Sequence, residues 1–154
     1  MRNAAERSGF TLVEIMIVVM IIGLLVALAI PSFYRARMNS QNVAFMNDLR
    51  IATAAFEQYA LDHTTYPPDN TPGIIPPGMV DYLSHMHWTE NTPIGGQWDW
   101  DCGQFGVKAG VSVYFGSAMQ DTRMSDIDAK IDDGDLSAGR FRKRANGYIN
   151  IIEY

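Results

Sequence analysis

Apolar and polar positions along the chain fall into three regimes. From Phe10 to Ile30 almost every residue is apolar, and Glu14 is the one charged side chain in that run. Coiled as an α-helix at 1.5 Å per residue, the run is about 31 Å long, which matches a hydrocarbon layer of ~30 Å. From Ser32 to Asp62 the pattern thins to one stripe, Met46, Leu49, Ala52 or Thr53, Phe56 and Tyr59 or Ala60, with Arg50, Glu57, Gln58 and Asp62 on other faces. That spacing is helical. Pro31 lacks a backbone N–H and kinks or loosens a helix at the join. The pattern predicts a single long, bent helix over about residues 10–62, apolar all round in its first half and amphipathic in its second.

Residues 63–78, HTTYPPDNTPGIIPPG, hold five prolines and two glycines, so the helix ends there and a surface connection begins. Met79 to Leu83 is read as one helical turn after Pro76-Pro77. Past Gly95-Gly96 the period becomes two. Gln97 to Asp101 puts Trp98 and Trp100 on one strand face and Asp99 and Asp101 on the other. Phe105 to Phe115 is a second strand, with Val107, Ala109, Val111, Val113 and Phe115 alternating, and Cys102-Gly103-Gln104 closes a hairpin between the two. Residues 123–133 form a short helix with Met124, Ile127 and Ile131 inward and Gly134 as its stop. Phe141 and the segment Tyr148–Tyr154 flank Asn146-Gly147, a hairpin signal. The fold class is α+β: one long N-terminal helix packed on a small antiparallel sheet of about four strands. The chain divides into an apolar segment, 10–30, its amphipathic continuation, 31–62, and a head, 63–154, made of a connection, 63–94, and the sheet with its short helix, 95–154.

With 154 residues and a formal charge of −5, the chain builds one modest core besides its apolar segment and lacks the cationic excess of a nucleic-acid binder. Arg140, Arg142, Lys143 and Arg144 form the basic cluster, read as a solvated or subunit-contacting edge. A single cysteine, Cys102, excludes an intrachain disulfide and a zinc site of several thiolates, and is read as a small buried residue.

Arg2, Arg7 and the initiator amine outnumber Glu6 ahead of the apolar run, which places the short N-terminal stretch in the cytoplasm and the rest across the membrane in a single pass. The rival is a secretory signal cut after Ala27-Leu28-Ala29, releasing a secreted enzyme. The run is too long for a signal core, it contains an acid, and the helical pattern continues past Pro31.

Ser8-Gly9-Phe10-Thr11-Leu12-Val13-Glu14-Ile15, followed by the apolar run and Pro31, resembles the class III signal of type IV pilins and type II secretion pseudopilins. The resemblance implies that residues 1–9 are a leader, that prepilin peptidase cuts between Gly9 and Phe10, and that Phe10 becomes the N-methylated terminus. Ser8 stands where the family commonly has a basic residue before the glycine. Cleavage creates a positive amine at Phe10, four positions from Glu14, and a carboxylate in low dielectric gains most from such a partner. The partner is either its own chain's amine or a neighbour's; by resemblance, Glu14 meets the neighbouring subunit and sets axial register during assembly. The segment around Pro31 can melt during packing in related pilins, and residues 63–94 correspond to the family's variable connection.

The implied function is that of a structural subunit, not an enzyme, of a type II secretion pseudopilus or related type IV pilus-like filament. It is held in the bacterial inner membrane, leader cytoplasmic and head periplasmic, before joining a periplasmic or surface filament. The implied partners are further copies of the chain, other pilins or pseudopilins, prepilin peptidase, an inner-membrane assembly platform and membrane lipid. The alternative is a minor pilin whose head binds DNA, a surface or a secretion substrate. Many type IV pilins close their C-terminal region with a disulfide, which Cys102 alone cannot form; that and the short head lean toward a pseudopilin.

Other residue clusters carry weaker chemistry. His85-x-His87, with His63 or an acid, suggests a metal, yet catalytic zinc needs three placed ligands. Asp126 and Asp128 suit the N-terminal dipole of the short helix, and Asp132, Asp133 and Asp135 its terminal turn. Some major pseudopilins bind calcium in a C-terminal loop, so the resemblance makes Asp132, Asp133 and Asp135 calcium candidates, although their spacing is not that of an EF-hand. Trp98 and Trp100 offer a sugar-stacking face or, more ordinarily, a core or subunit contact. No nucleophile elbow, phosphate loop or thiol pair is present, and no catalytic residue is assigned.

Overall fold

The computed structural model describes residues 9–154, so Arg2, Glu6, Arg7 and Ser8 of the expected leader lie outside the described residues. The contacts divide the chain into two units, one ending at Asn39 and one running from Ser40 to Tyr154.

The first unit is the start of helix α1, Leu12–His63, which runs uninterrupted through Pro31. Its large apolar side chains, from Leu12 to Met38, are exposed along the whole stretch. Leu12–His63 contains a segment long and apolar enough to cross a membrane.

The second unit packs the rest of α1 on four antiparallel strands, β1 Gln97–Cys102, β2 Ala109–Tyr114, β3 Phe141–Arg144 and β4 Gly147–Glu153, in the spatial order β1-β2-β4-β3. A second helix, α2, spans Asp121–Ile131. The layout is α+β and pilin-like. Asn42, Phe45, Leu49, Ala52, Ala55 and Phe56 make the buried face of α1. The stripe therefore centres on Phe45 and Ala55 as well as Leu49, Ala52 and Phe56, while Met46 and Tyr59 only flank it. Phe56 stacks on Trp100 with ring centroids 3.8 Å apart, and Phe45 stacks on Trp98 at 5.3 Å. Trp100 Nε1 donates to the Pro67 carbonyl and Trp88 Nε1 to that of Ile74, each at 3.0 Å, so the proline-rich connection is tied down by buried indoles. Met79 to Leu83 does make one helical turn, with Leu83 N–H donating to the Met79 carbonyl at 2.9 Å.

Both rims of the sheet carry partners. Outside β1, Gly73 N–H donates to the Trp98 carbonyl at 2.7 Å, and Cys102 N–H to Asp69 Oδ1 at 3.1 Å. Outside β3, Lys143 N–H donates to the Leu136 carbonyl at 2.8 Å, and Phe141 N–H to Asp132 Oδ2 at 3.0 Å.

Several expectations need correction. The second strand starts at Ala109, not Phe105, because Phe105 and Gly106 turn the chain with φ of +51° and +77°. A register shift at Ala109/Gly110 follows, and Val107 joins Ile149 and Ile151 on the outer face instead of the core. The last hairpin turns on Ala145-Asn146, one residue before Asn146-Gly147. Gly147 is instead the first strand residue, where a Cβ would lie 2.0 Å from the Val113 carbonyl oxygen. The short helix starts at Asp121 and ends at Ile131, so Asp126 and Asp128 sit beyond its first turn. Its inward face is Met124, Ile127 and Asp128, while Ile131 is 39% exposed. Cys102 is half-buried, not buried.

Candidate functional site

The N-terminal site is built by one turn of α1. Phe10 is 83% exposed ahead of it. Thr11 donates from its backbone N–H at 2.8 Å and from its hydroxyl at 2.7 Å, both to Glu14 Oε2. Glu14 N–H donates back to Thr11 Oγ1 at 3.2 Å. This is a reciprocal capping box, which satisfies donors that a helix start leaves free. Glu14 also lies where the macrodipole favours an anion. The carboxylate thus has partners within its own chain before any second subunit arrives. Thr11 was missed as a functional residue, although Thr-x-x-Glu before an apolar run is a legible capping signal.

The acidic cluster is assembled differently from the expected set. Asp128, Asp132 and Asp133 each bring a carboxylate oxygen within 4.8 Å of the others. Asp135 turns away, accepting from Ser137 N–H at 3.0 Å and Ser137 Oγ at 2.6 Å, which lowers its pKa. Asp128 projects from the core side of α2 and is 0% exposed, and neither of its oxygens has a hydrogen-bond partner among the described residues. Burial raises its pKa most, followed by the charges of Asp133 and Asp132; the nearby Gly134 amide opposes them without hydrogen-bonding geometry. Asp132 Oδ2 accepts the backbone amides of Arg140 and Phe141. Gly139 makes room for this: a Cβ there would lie 2.0 Å from Asp132 Oδ2 and 2.9 Å from Asp133 Oδ2. The orphaned buried oxygens of Asp128 and the two carboxylates beside them form a hard, anionic donor set, which fits an ion such as calcium.

The histidines contribute to no such cluster among the described residues. His87 faces Glu90 at 3.4 Å in solvent, and His63 packs on Tyr59 with centroids 4.3 Å apart. Trp98 and Trp100 are buried in the core, which removes them as a sugar-stacking face.

A third constellation occupies the outer face of the sheet. Arg144 belongs to the expected exposed basic cluster but is only 7% exposed. Its Nη2 donates to Asp99 Oδ2 at 2.5 Å, its Nη1 to Asn146 Oδ1 at 2.7 Å, and its Nε lies 3.5 Å from Asp101 Oδ2. Asp101 also accepts the Ser112 hydroxyl, and Asp99 accepts Trp100 N–H at 3.0 Å. Two buried carboxylates share one guanidinium. Burial first, and the Asp101 charge second, push Asp99 up to about 6 against the pull of Arg144. Burial likewise raises Asp101, opposed by the Ser112 hydroxyl and Arg144. Arg140, Arg142 and Lys143 remain nearer solvent, with Lys143 Nζ paired to Asp121.

Residues 5–30 match the family model of the prokaryotic N-terminal methylation motif. Over 62 residues the chain is 39% identical to the type II secretion system core protein G of Pseudomonas aeruginosa, covering 40% of this chain and 44% of that protein. It is 34% identical over 70 residues to the core protein G of Escherichia coli, covering 46% and 48%. It is 37% identical over 67 residues to the type IV major pilin protein PilE of Neisseria gonorrhoeae, covering 42% and 39%. In each case the chain spans less than half the length of its relative. No solved structure matches it.

Proposed function

We propose that this chain is a structural subunit of a type II secretion pseudopilus or related pilus-like filament, stored in the bacterial inner membrane by the start of α1. The observation that carries the reading is the capping box of Thr11 and Glu14, set at the head of an exposed apolar helix inside the methylation motif. Residues 1–9 are the cytoplasmic leader, prepilin peptidase cuts between Gly9 and Phe10, and Phe10 is methylated.

Lipid tails are as apolar as leucine, so moving α1 from bilayer to filament changes little hydrophobic free energy. Packing and polar contacts decide the exchange. In the membrane, Thr11 holds the Glu14 carboxylate. After cleavage the Phe10 ammonium is a charged donor, stronger than a neutral hydroxyl in low dielectric. A neighbour's ammonium that reaches Glu14 fixes the axial step between subunits. N-terminal sequencing and intact mass of the mature protein test the reading: methyl-Phe10 supports it, and a chain starting at Ile30 overturns it.

A second element of the proposal is a calcium ion held by Asp128, Asp132 and Asp133. Its support is the buried Asp128 carboxylate with both oxygens unpartnered. The ion would tie the end of α2 to the loop leading into β3.

A further inference from the structure

Beside the Asp99–Arg144 network, the outer face of the sheet holds a cavity of about 380 Å³. That size suits a small ligand. Its rim carries the amides of Gln97, Gln104 and Asn146 and the hydroxyls of Thr71 and Tyr114, and its floor is the Asp99, Asp101 and Arg144 group. Phe105 stands at the mouth, 48% exposed, with its ring 4.7 Å from the Arg144 guanidinium carbon. Its φ of +51° lies in the left-handed region, which a bulky side chain rarely adopts. Such strain persists where the surrounding structure requires it.

The lining discriminates between ligand classes. An anion would meet three carboxylates, Asp69 and the buried Asp99 and Asp101. A cation would find Asp99 and Asp101 already engaged by Arg144, Ser112 and the Trp100 amide, and Asp69, which also lines the cavity, bonded by the Cys102 amide. An apolar ligand would strand the rim amides without water. Amides and hydroxyls together donate and accept, as do the vicinal hydroxyls of a sugar ring. The C–H face of such a ring is apolar and packs on an aromatic side chain.

We propose that this cavity binds a saccharide unit, with Phe105 as the stacking platform and Gln97, Gln104 and Asn146 as its hydrogen-bonding rim. The site lies on the face of β1 opposite Trp98 and Trp100. Sugar binding here does not rest on filament assembly, since none of the lining residues belongs to α1.

Saturation-transfer NMR on the full chain in amine-oxide micelles, which carry no sugar headgroup, tests it with maltotriose, cellotriose and chitotriose as probes and glycerol as a polyol lacking a ring. At least one trisaccharide binds with a Kd of about 10 mM or tighter, and glycerol binds at least about tenfold more weakly. Phe105→Gly suits the positive φ, so it keeps or raises the unfolding midpoint while weakening the sugar about tenfold or more. Gln104→Ala weakens it by about threefold. Absence of transfer from all three trisaccharides, or undiminished binding in Phe105→Gly, overturns the site.

Discussion

Asp99 and Arg144 stand on the two outermost strands of the sheet, and the guanidinium of one nonetheless bonds the carboxylate of the other across the outer face. The strands between them contribute Ser112, which holds the second acid, Asp101. One cation thereby serves two buried carboxylates, and burial first, with the Asp101 charge second, raises the pKa of Asp99.

The raised pKa of Asp99 makes stability pH-dependent in an unusual direction. With Asp99 at about 6 in the fold and about 3.9 when unfolded, the folded state holds the proton more tightly. Its contribution is fully present below about pH 4 and is lost as pH rises through about 6, an effect on the order of 3 kcal/mol. Thermal unfolding of the head should therefore have a higher midpoint at pH 5 than at pH 7.5, and Asp99→Asn should flatten the slope. A midpoint that is level across this window in the parent chain would rule out the assignment.

On the proposed function, processing and assembly would separate at neighbouring residues. Gly9→Leu is expected to leave the precursor uncut, read as retention of residues 1–9 by intact mass. Normal cleavage of that variant would place the processing site elsewhere.

Glu14→Leu is expected to be cleaved like the parent but to enter filaments about tenfold less, because no carboxylate meets the neighbour's ammonium. Thr11→Ala removes the hydroxyl of the capping box and should lower incorporation by a few-fold, with Thr11→Ser restoring it. Shearing and quantifying filaments gives the readout; undiminished incorporation of Glu14→Leu removes the register role.

Calcium and Asp128 should show a crossed pattern. At about 100 times its Kd an ion adds about 2.7 kcal/mol to the folded state, a midpoint shift on the order of 10 °C. Asp128→Asn should abolish that shift yet raise the midpoint in chelator, since it removes a buried carboxylate that has no hydrogen-bond partner and stands against Asp132 and Asp133. Asp135→Ala, whose carboxylate turns to Ser137, should leave the calcium shift intact. Identical midpoints of the parent chain in calcium and in chelator would exclude the ion.

Gly147→Ala drives a methyl into the Val113 carbonyl and should destabilise the head by about 3 kcal/mol, measured by denaturant unfolding.

The long helix, the α+β class and the four strands were legible because each rests on a repeating pattern. The failures sit where a single residue answers to a distant neighbour. Asn146-Gly147 reads as a turn from local preference, but Gly147 is required by the approach of β2. Val107 follows the alternation of its strand on paper, and the turn at Phe105-Gly106 moves it to the other face. Arg144 looks like an edge cation because its burial depends on acids 45 and 43 positions away. Asp128 was within reach: Met124, Ile127 and Asp128 share a helical face, but polarity argued against burying the last of them. Of the candidate sites, Glu14 was legible as an anomaly in an apolar run, and its partner Thr11 was three residues away and unread.

The two rims of the sheet carry a last consequence. Gly73 and Asp69 occupy the outside of β1, and Leu136 and Asp132 that of β3, so neither rim offers a bare ladder to another polypeptide. If the chain is stored as proposed, heads crowded together at a membrane surface would thereby be kept from zipping into one another as extended strands. On the proposed function, polymerisation would then be left to the helical segment, and a subunit could wait in large numbers without committing early.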